Sequence, residues 1–219
     1  NIEKGMDIFY LHSTQLTQLS CHCIYTFPIA LRYNARFNPI KVNYDECFVL
    51  PMIKINEKDG GIFDGGREIL ENIVKTRMNL DLFENKDILT QMIEKSGGCI
   101  WDLFRLIKES AETALDFERG AISEDDYNFA YDGIKADYEA QIAENVEKGY
   151  KVEDYYAALV DCANDKTKQP KASDIMLDLR NNLSVLNYNG TDWSDVHPVI
   201  RDILTEKGHL GDDNNRPES

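Results

Sequence analysis

Residues 96–117, SGGCIWDLFRLIKESAETALDF, constrain the fold more than any other stretch. Two glycines precede a run whose apolar residues Ile100, Leu103, Phe104, Ile107, Ala111, Ala114 and Leu115 recur with the period of an α-helix. A helix of that pattern carries one face that must be covered by other elements. Just upstream, Leu89, Met92 and Ile93 mark a shorter helix over 85–95, and Gly97-Gly98 supplies the left-handed backbone that ends it and reverses the chain. The unit is an αα-hairpin, and as a plain helical corner it needs no function.

The chain has 219 residues with 42% hydrophobic content, enough to bury a core in one large or two small domains. No apolar run approaches the roughly 18 residues of a membrane span, and the first residues lack a charged and then apolar leader. The expectation is a protein without a membrane segment, located in the cytoplasm. The five cysteines, Cys21, Cys23, Cys47, Cys99 and Cys162, are odd in number and scattered, which favours reduced thiols over a disulfide framework. Cys21-His22-Cys23 invites a metal, but its spacing is wrong for a zinc knuckle and no second pair answers it, so no metal site is expected. The formal charge of −15 is spread along the chain, which opposes general attraction to phosphate backbones.

The chain divides into four parts. In residues 1–58, helical spacing over 1–20 is followed by two β-rich runs, CHCIYTF at 21–27 and CFVLPMIKI at 47–55, with an irregular connection between them. Pro51 places the second run at an edge or a bulge. Two strands do not make a covered sheet, so this part is expected to be the end of an α/β core whose remainder lies elsewhere, a reading that the start at Asn1 favours. GGIFDGG at 60–66 reads as a flexible linker. Residues 64–146 hold four short-linked amphipathic helices, the last opened by a capping-box-like Ser123 and Asp126. In 150–207 come two helices, a hairpin signalled by Asn189-Gly190 and a final helix with Pro198 at its first position. Residues 208–219 are polar and expected to be disordered. The fold class is therefore mainly α with a small β content.

Three segments resemble P-loop ATPases of the AAA+ and STAND type. Ser96-Gly97-Gly98 followed by Asp102, Leu103, Arg105 and Leu106 is similar to the turn that opens the sensor-2 helix of the lid. IYTFPIALRYN at 24–34 resembles the strand and exit loop that follow the Walker B strand, and LNYNGTDWSDVHPVIRDIL at 186–204 resembles the end of the winged-helix domain that follows the lid. The resemblance implies the end of an ATPase core, a helical lid and a winged helix. It implies nucleotide-sensing roles for Thr26 and Arg105, although Trp101 stands where the sensing arginine is usual. Arg32 and Arg36 would act as arginine fingers on a neighbour's nucleotide in a homo-oligomer. ATP and Mg would be bound by the parent protein, because no G-x-x-x-x-G-K-[ST] loop and no Walker B acid pair occurs in this sequence. The expected partner is the missing N-terminal half of the core.

A second reading comes from the residues alone. Lys166, Lys168 and Lys171, with Arg180 on the helix that would read a groove, suit a winged-helix nucleic-acid-binding protein whose helical region dimerises; Asp174 and Asp178 oppose it. No catalytic residue is assigned. His197 has no serine, cysteine or acid at a recognisable spacing and reads as a turn or cap, Trp193 as a core plug, and Tyr127, Tyr131 and Tyr138 as core.

Overall fold

The computed structural model describes residues 2–189 and 193–211. The chain is mainly helical, with one two-stranded sheet among the described residues.

The N-terminal region contains α1 (Ile2–Met6), a π-helical turn (Asp7–Leu11), α2 (Ser13–Thr17), a 3-10 turn (Ile29–Tyr33) and α3 (Phe37–Lys41). Phe9, Leu31 and Ile40 form its small core, ringed by Tyr10, Tyr25, Phe27 and Tyr44. Neither expected strand forms: residues 21–27 make no ladder, and in 47–55 only Met52 forms a single parallel bridge, to Tyr188. A strand is stable only when a neighbour takes its backbone groups, and no segment of this region offers one.

The body of the molecule comprises α4 (Asp64–Lys75), a 3-10 turn (Leu80–Leu82), α5 (Lys86–Lys95), α6 (Ile100–Asp116), α7 (Glu124–Ala140), α8 (Val152–Asn164), α9 (Asp174–Asn181), β1 (Val185–Tyr188), β2 (Trp193–Val196) and α10 (Pro198–Glu206). Caps written in the sequence set the helix starts. Asn85 accepts from the amides of Asp87 and Ile88, Ser123 and Asp126 close a reciprocal box, and Ser173 accepts from Met176 N. The linker expected at 60–66 is in part helix. Asp64, Gly65 and Gly66 open α4, and Gly66 is buried so closely that a Cβ there would lie 1.7 Å from the Lys54 carbonyl oxygen.

The face of α6 that is buried differs slightly from the apolar stripe. Leu103, Leu106, Ile107, Ser110 and Ala114 face inward with Asp102, while Ile100 and Leu115 remain exposed. The inward face is the one packed against α7.

One core joins Ile55 and the α4–α7 helices to Tyr155, Leu159, Met176, Leu179 and the α10 residues Val199, Ile200, Ile203 and Leu204. The spans 64–146 and 150–207 therefore share a single hydrophobic interior, and α10 packs against α5, α7 and α8. In the hairpin, Val185 pairs with Val196 and Tyr188 with Trp193, and Asn189 takes the left-handed backbone that its turn requires; Gly190 lies outside the described residues. Of the expected disordered tail, residues 208–210 are held against the body: the amides of His209 and Leu210 donate to Leu204 O, and His209 stacks on Tyr156. Residues 212–219 lie outside the described residues.

Candidate functional site

The Ser96-Gly97-Gly98 turn is the point where three distant parts of the chain meet. Its glycines have φ of +60° and +81°. Ser96 Oγ donates to Ile93 O at 2.7 Å and accepts from Gly98 N at 3.2 Å, which fixes the loop internally. From outside, Ile53 N donates to Gly98 O at 3.2 Å and the Tyr188 hydroxyl donates to Gly97 O at 2.7 Å. A Cβ on Gly98 would lie 1.8 Å from Ile53 O, and one on Gly97 would lie 2.6 Å from Leu186 Cδ1 and 2.7 Å from Pro198 Cδ. Both positions need glycine twice over, for the backbone angle and for the closeness of approach.

Directly below the turn lies a buried polar group: Cys99 and Asp102 at the start of α6, Tyr138 on α7 and His197 before α10. The Tyr138 hydroxyl donates to Asp102 Oδ2 at 2.9 Å, and its ring stacks on the imidazole with centroids 4.7 Å apart. His197 Nδ1 accepts from Val199 N at 3.2 Å, capping α10, so the ring proton sits on Nε2. That atom lies 3.3 Å from Asp102 Oδ2, but off the line of a well-formed hydrogen bond. Burial pushes the Asp102 pKa up, yet the nearby His197 Nε2–H, helped by the bonds from Tyr138 and Cys99, holds the carboxyl below its ordinary value. Burial and the Asp102 charge push the Cys99 thiol up to about 12, and burial raises the Tyr138 phenol. None of the four reaches solvent and the one thiol keeps its proton, so the group has no activated nucleophile and acts as a clasp joining α6, α7 and α10.

Beside the turn opens a cleft of about 540 Å³, lined by Gly97 and Trp193 among others. Its cations are matched by acids: Lys168 and Arg201 each sit 2.9 Å from an Asp195 oxygen, and Lys95 pairs with Asp202, which also accepts from the Tyr131 hydroxyl. A lining so balanced draws no polyanion by field alone.

The residues singled out from sequence are spread across the molecule. Arg105 Nε is 2.7 Å from Glu109, and its other end pairs with Asp137 across the α6/α7 hairpin. Trp101, in the first turn of α6, is 73% exposed. Thr26 is exposed in the irregular segment after α2, and among the described residues no hydrogen bond or ion pair joins it to Arg105. Arg32 lies 4.7 Å over the Phe37 ring, and Arg36 is exposed.

Of the basic group, Lys168 is paired with Asp195, Lys171 sits 2.6 Å from Asp161, and Lys166 is exposed and has no ion-pair partner among the described residues. Arg180 is fully buried. It bonds to Lys171 O and, at 3.4 Å, to Asn187 Oδ1, with its guanidinium 4.0 Å over the Tyr33 ring. Burial pulls its pKa down. Tyr33 in turn donates to Asn187 Oδ1 at 3.0 Å, so Arg180 is a strut between the N-terminal region and the hairpin and has no access to a groove.

Gly66 packs directly against the Lys54 carbonyl, and the Arg105 guanidinium is committed to two carboxylates. Among the described residues no cluster of three or more His, Cys, Asp or Glu is placed to hold a metal ion.

The burial of Asp102 and Arg180 was not legible in the sequence for one reason: each is a charged residue in register with a core face. Asp102 precedes buried Leu106 by four positions, and Arg180 follows buried Met176 by four. A comparison of this chain with protein-family models, curated proteins and solved structures finds no match.

Proposed function

We propose that this chain is the lid and winged-helix regulatory region of a P-loop ATPase of the AAA+ or STAND type. In this reading residues 2–58 close the ATPase core, 64–146 form the lid, and 150–207 form a winged helix fastened to it. The observation that carries the reading is the gripped glycine turn. The start of α6 is held by Ile53 from the core side and by Tyr188 and His197 from the hairpin side, so a movement of any one is passed to the other two.

The role is a conformational switch without hydrolysis of its own, since the phosphate cradle, ATP and Mg belong to a partner polypeptide carrying the P-loop. The N-terminal region supports such a partner. Ile24, Phe48 and Leu50 are 97%, 85% and 93% exposed, on segments whose backbone is largely unpaired. With Trp101 in the arginine's place and Arg105 tied down, contact with nucleotide would come from Thr26 on this chain, or from Arg36 toward a neighbour in a cytoplasmic homo-oligomer.

The test mixes this chain with a polypeptide carrying the P-loop half and follows binding of a fluorescent ATP analogue. The expected result is a gain in affinity of tenfold or more over that half alone, reduced by Tyr188→Phe. Equal affinity with and without the chain would overturn the proposal.

A further inference from the structure

The Cys21-His22-Cys23 segment plays no part in the switch described above. Its two sulfur atoms lie 3.5 Å apart, and both residues are exposed. We propose that Cys21 and Cys23 form a reversible dithiol/disulfide couple that exchanges with small disulfides of the glutathione class.

The geometry favours closure. A disulfide needs its sulfurs about 2.05 Å apart, so an approach of about 1.5 Å suffices. Among the described residues, no backbone hydrogen bond involves residues 19–27, so nothing in the ladder resists that movement. The segment is nevertheless anchored. The Tyr25 hydroxyl donates to Leu16 O at 2.9 Å, and its ring meets Phe9 edge-on at 6.5 Å, which holds the pair near the surface of the N-terminal core. Selectivity follows from burial, because Cys99 and Cys162 are enclosed and burial pushes their thiols up to about 12 and about 11.

The reaction balances in two exchanges. One thiolate attacks a sulfur of the glutathione disulfide, forming a mixed disulfide and releasing one glutathione thiolate. The second thiolate then attacks the protein sulfur of that mixed disulfide, closing the Cys21–Cys23 bond and releasing the other glutathione. The protein loses two electrons and two protons, and one glutathione disulfide becomes two thiols. The hydrogen bond to Cys23, and the charge of Cys23, raise the Cys21 pKa above its ordinary 9.0. The exchange therefore runs faster as pH rises, by about tenfold per unit below that range.

The test incubates the full reduced chain in glutathione redox buffers and maps its peptides by mass spectrometry. The expected product is lighter by two hydrogens within the peptide containing Cys21 and Cys23. Cys21→Ser and Cys23→Ser each stop at a glutathione adduct on the remaining sulfur, and both sites are exposed, so folding is unaffected. Absence of the internal disulfide at every glutathione ratio, pairing of either thiol with Cys47, or closure at a rate that does not rise with pH would overturn the proposal. The result is read on this chain alone and is independent of any ATPase partner.

Discussion

The N-terminal region and the helical body are built from the same residue types and reach opposite outcomes. Of forty buried hydrophobic residues among those described, five lie before residue 52; of sixteen large exposed ones, seven do. The body succeeds because its apolar stripes come in adjacent pairs, α5 with α6 and α6 with α7, so each helix finds its cover a few residues away in sequence. The N-terminal region spends its apolar residues on short β-rich runs, which need a partner strand that it does not contain. A hydrophobic run buries itself only where the topology supplies its neighbour.

That contrast can be broken by mutation. The largest effect is expected at the turn on which the body depends: Gly98→Val forces a side chain into the Ile53 carbonyl at positive φ and should cost about 4 kcal/mol or more, read as the urea midpoint. A loss below about 1 kcal/mol would mean that the turn is not gripped as described. Leu103→Ala should destabilise the body by about 2–5 kcal/mol. Leu31→Ala, equally buried, should change amide exchange only within residues 2–51 and leave the body's protection intact, because the two cores are separate clusters.

Asp102→Asn should cost about 1–2 kcal/mol at neutral pH by weakening the clasp with Tyr138 and His197. It also changes the pH profile. The folded pKa of Asp102 lies below its unfolded value near 3.8, so its stabilising contribution is complete above that pH and lost as pH falls through the lower, folded value. Acid titration of stability should be shallower in the Asn variant than in the wild type.

Tyr33→Phe removes the hydroxyl bond to Asn187 and keeps the ring under Arg180, so about 1 kcal/mol is expected, seen as faster exchange in residues 29–33. The smallest effect sharpens the comparison from the other side. Phe48→Glu should leave stability within about 0.5 kcal/mol while reducing self-association in light scattering, since the ring touches mainly water.

Much of the body was legible because its signals are local. Asn85, Ser123 and Ser173 cap helices within three residues of themselves, and Gly97-Gly98 and Asn189 take the backbone angles their residue types favour. His197 caps α10 and Trp193 is buried against Tyr188, as their positions beside Pro198 and the hairpin suggested. The N-terminal strands were misread because β-propensity reports suitability for a sheet and not the presence of a neighbour. The candidate site was legible only as a turn. The clasp beneath it unites residues 99, 102, 138 and 197, which no spacing rule connects.

The sequence alone settled where α5, α7, α9 and α10 begin and where the chain must reverse, since those depend on residues within a turn or two of each other. Only the tertiary structure decided that Asp102 and Arg180 are interior, that Gly66 seals a contact instead of loosening a linker, and that the helical and hairpin units share one core. Those outcomes depend on which distant surfaces meet, and a charge or a glycine has no preferred environment until its neighbours are in place.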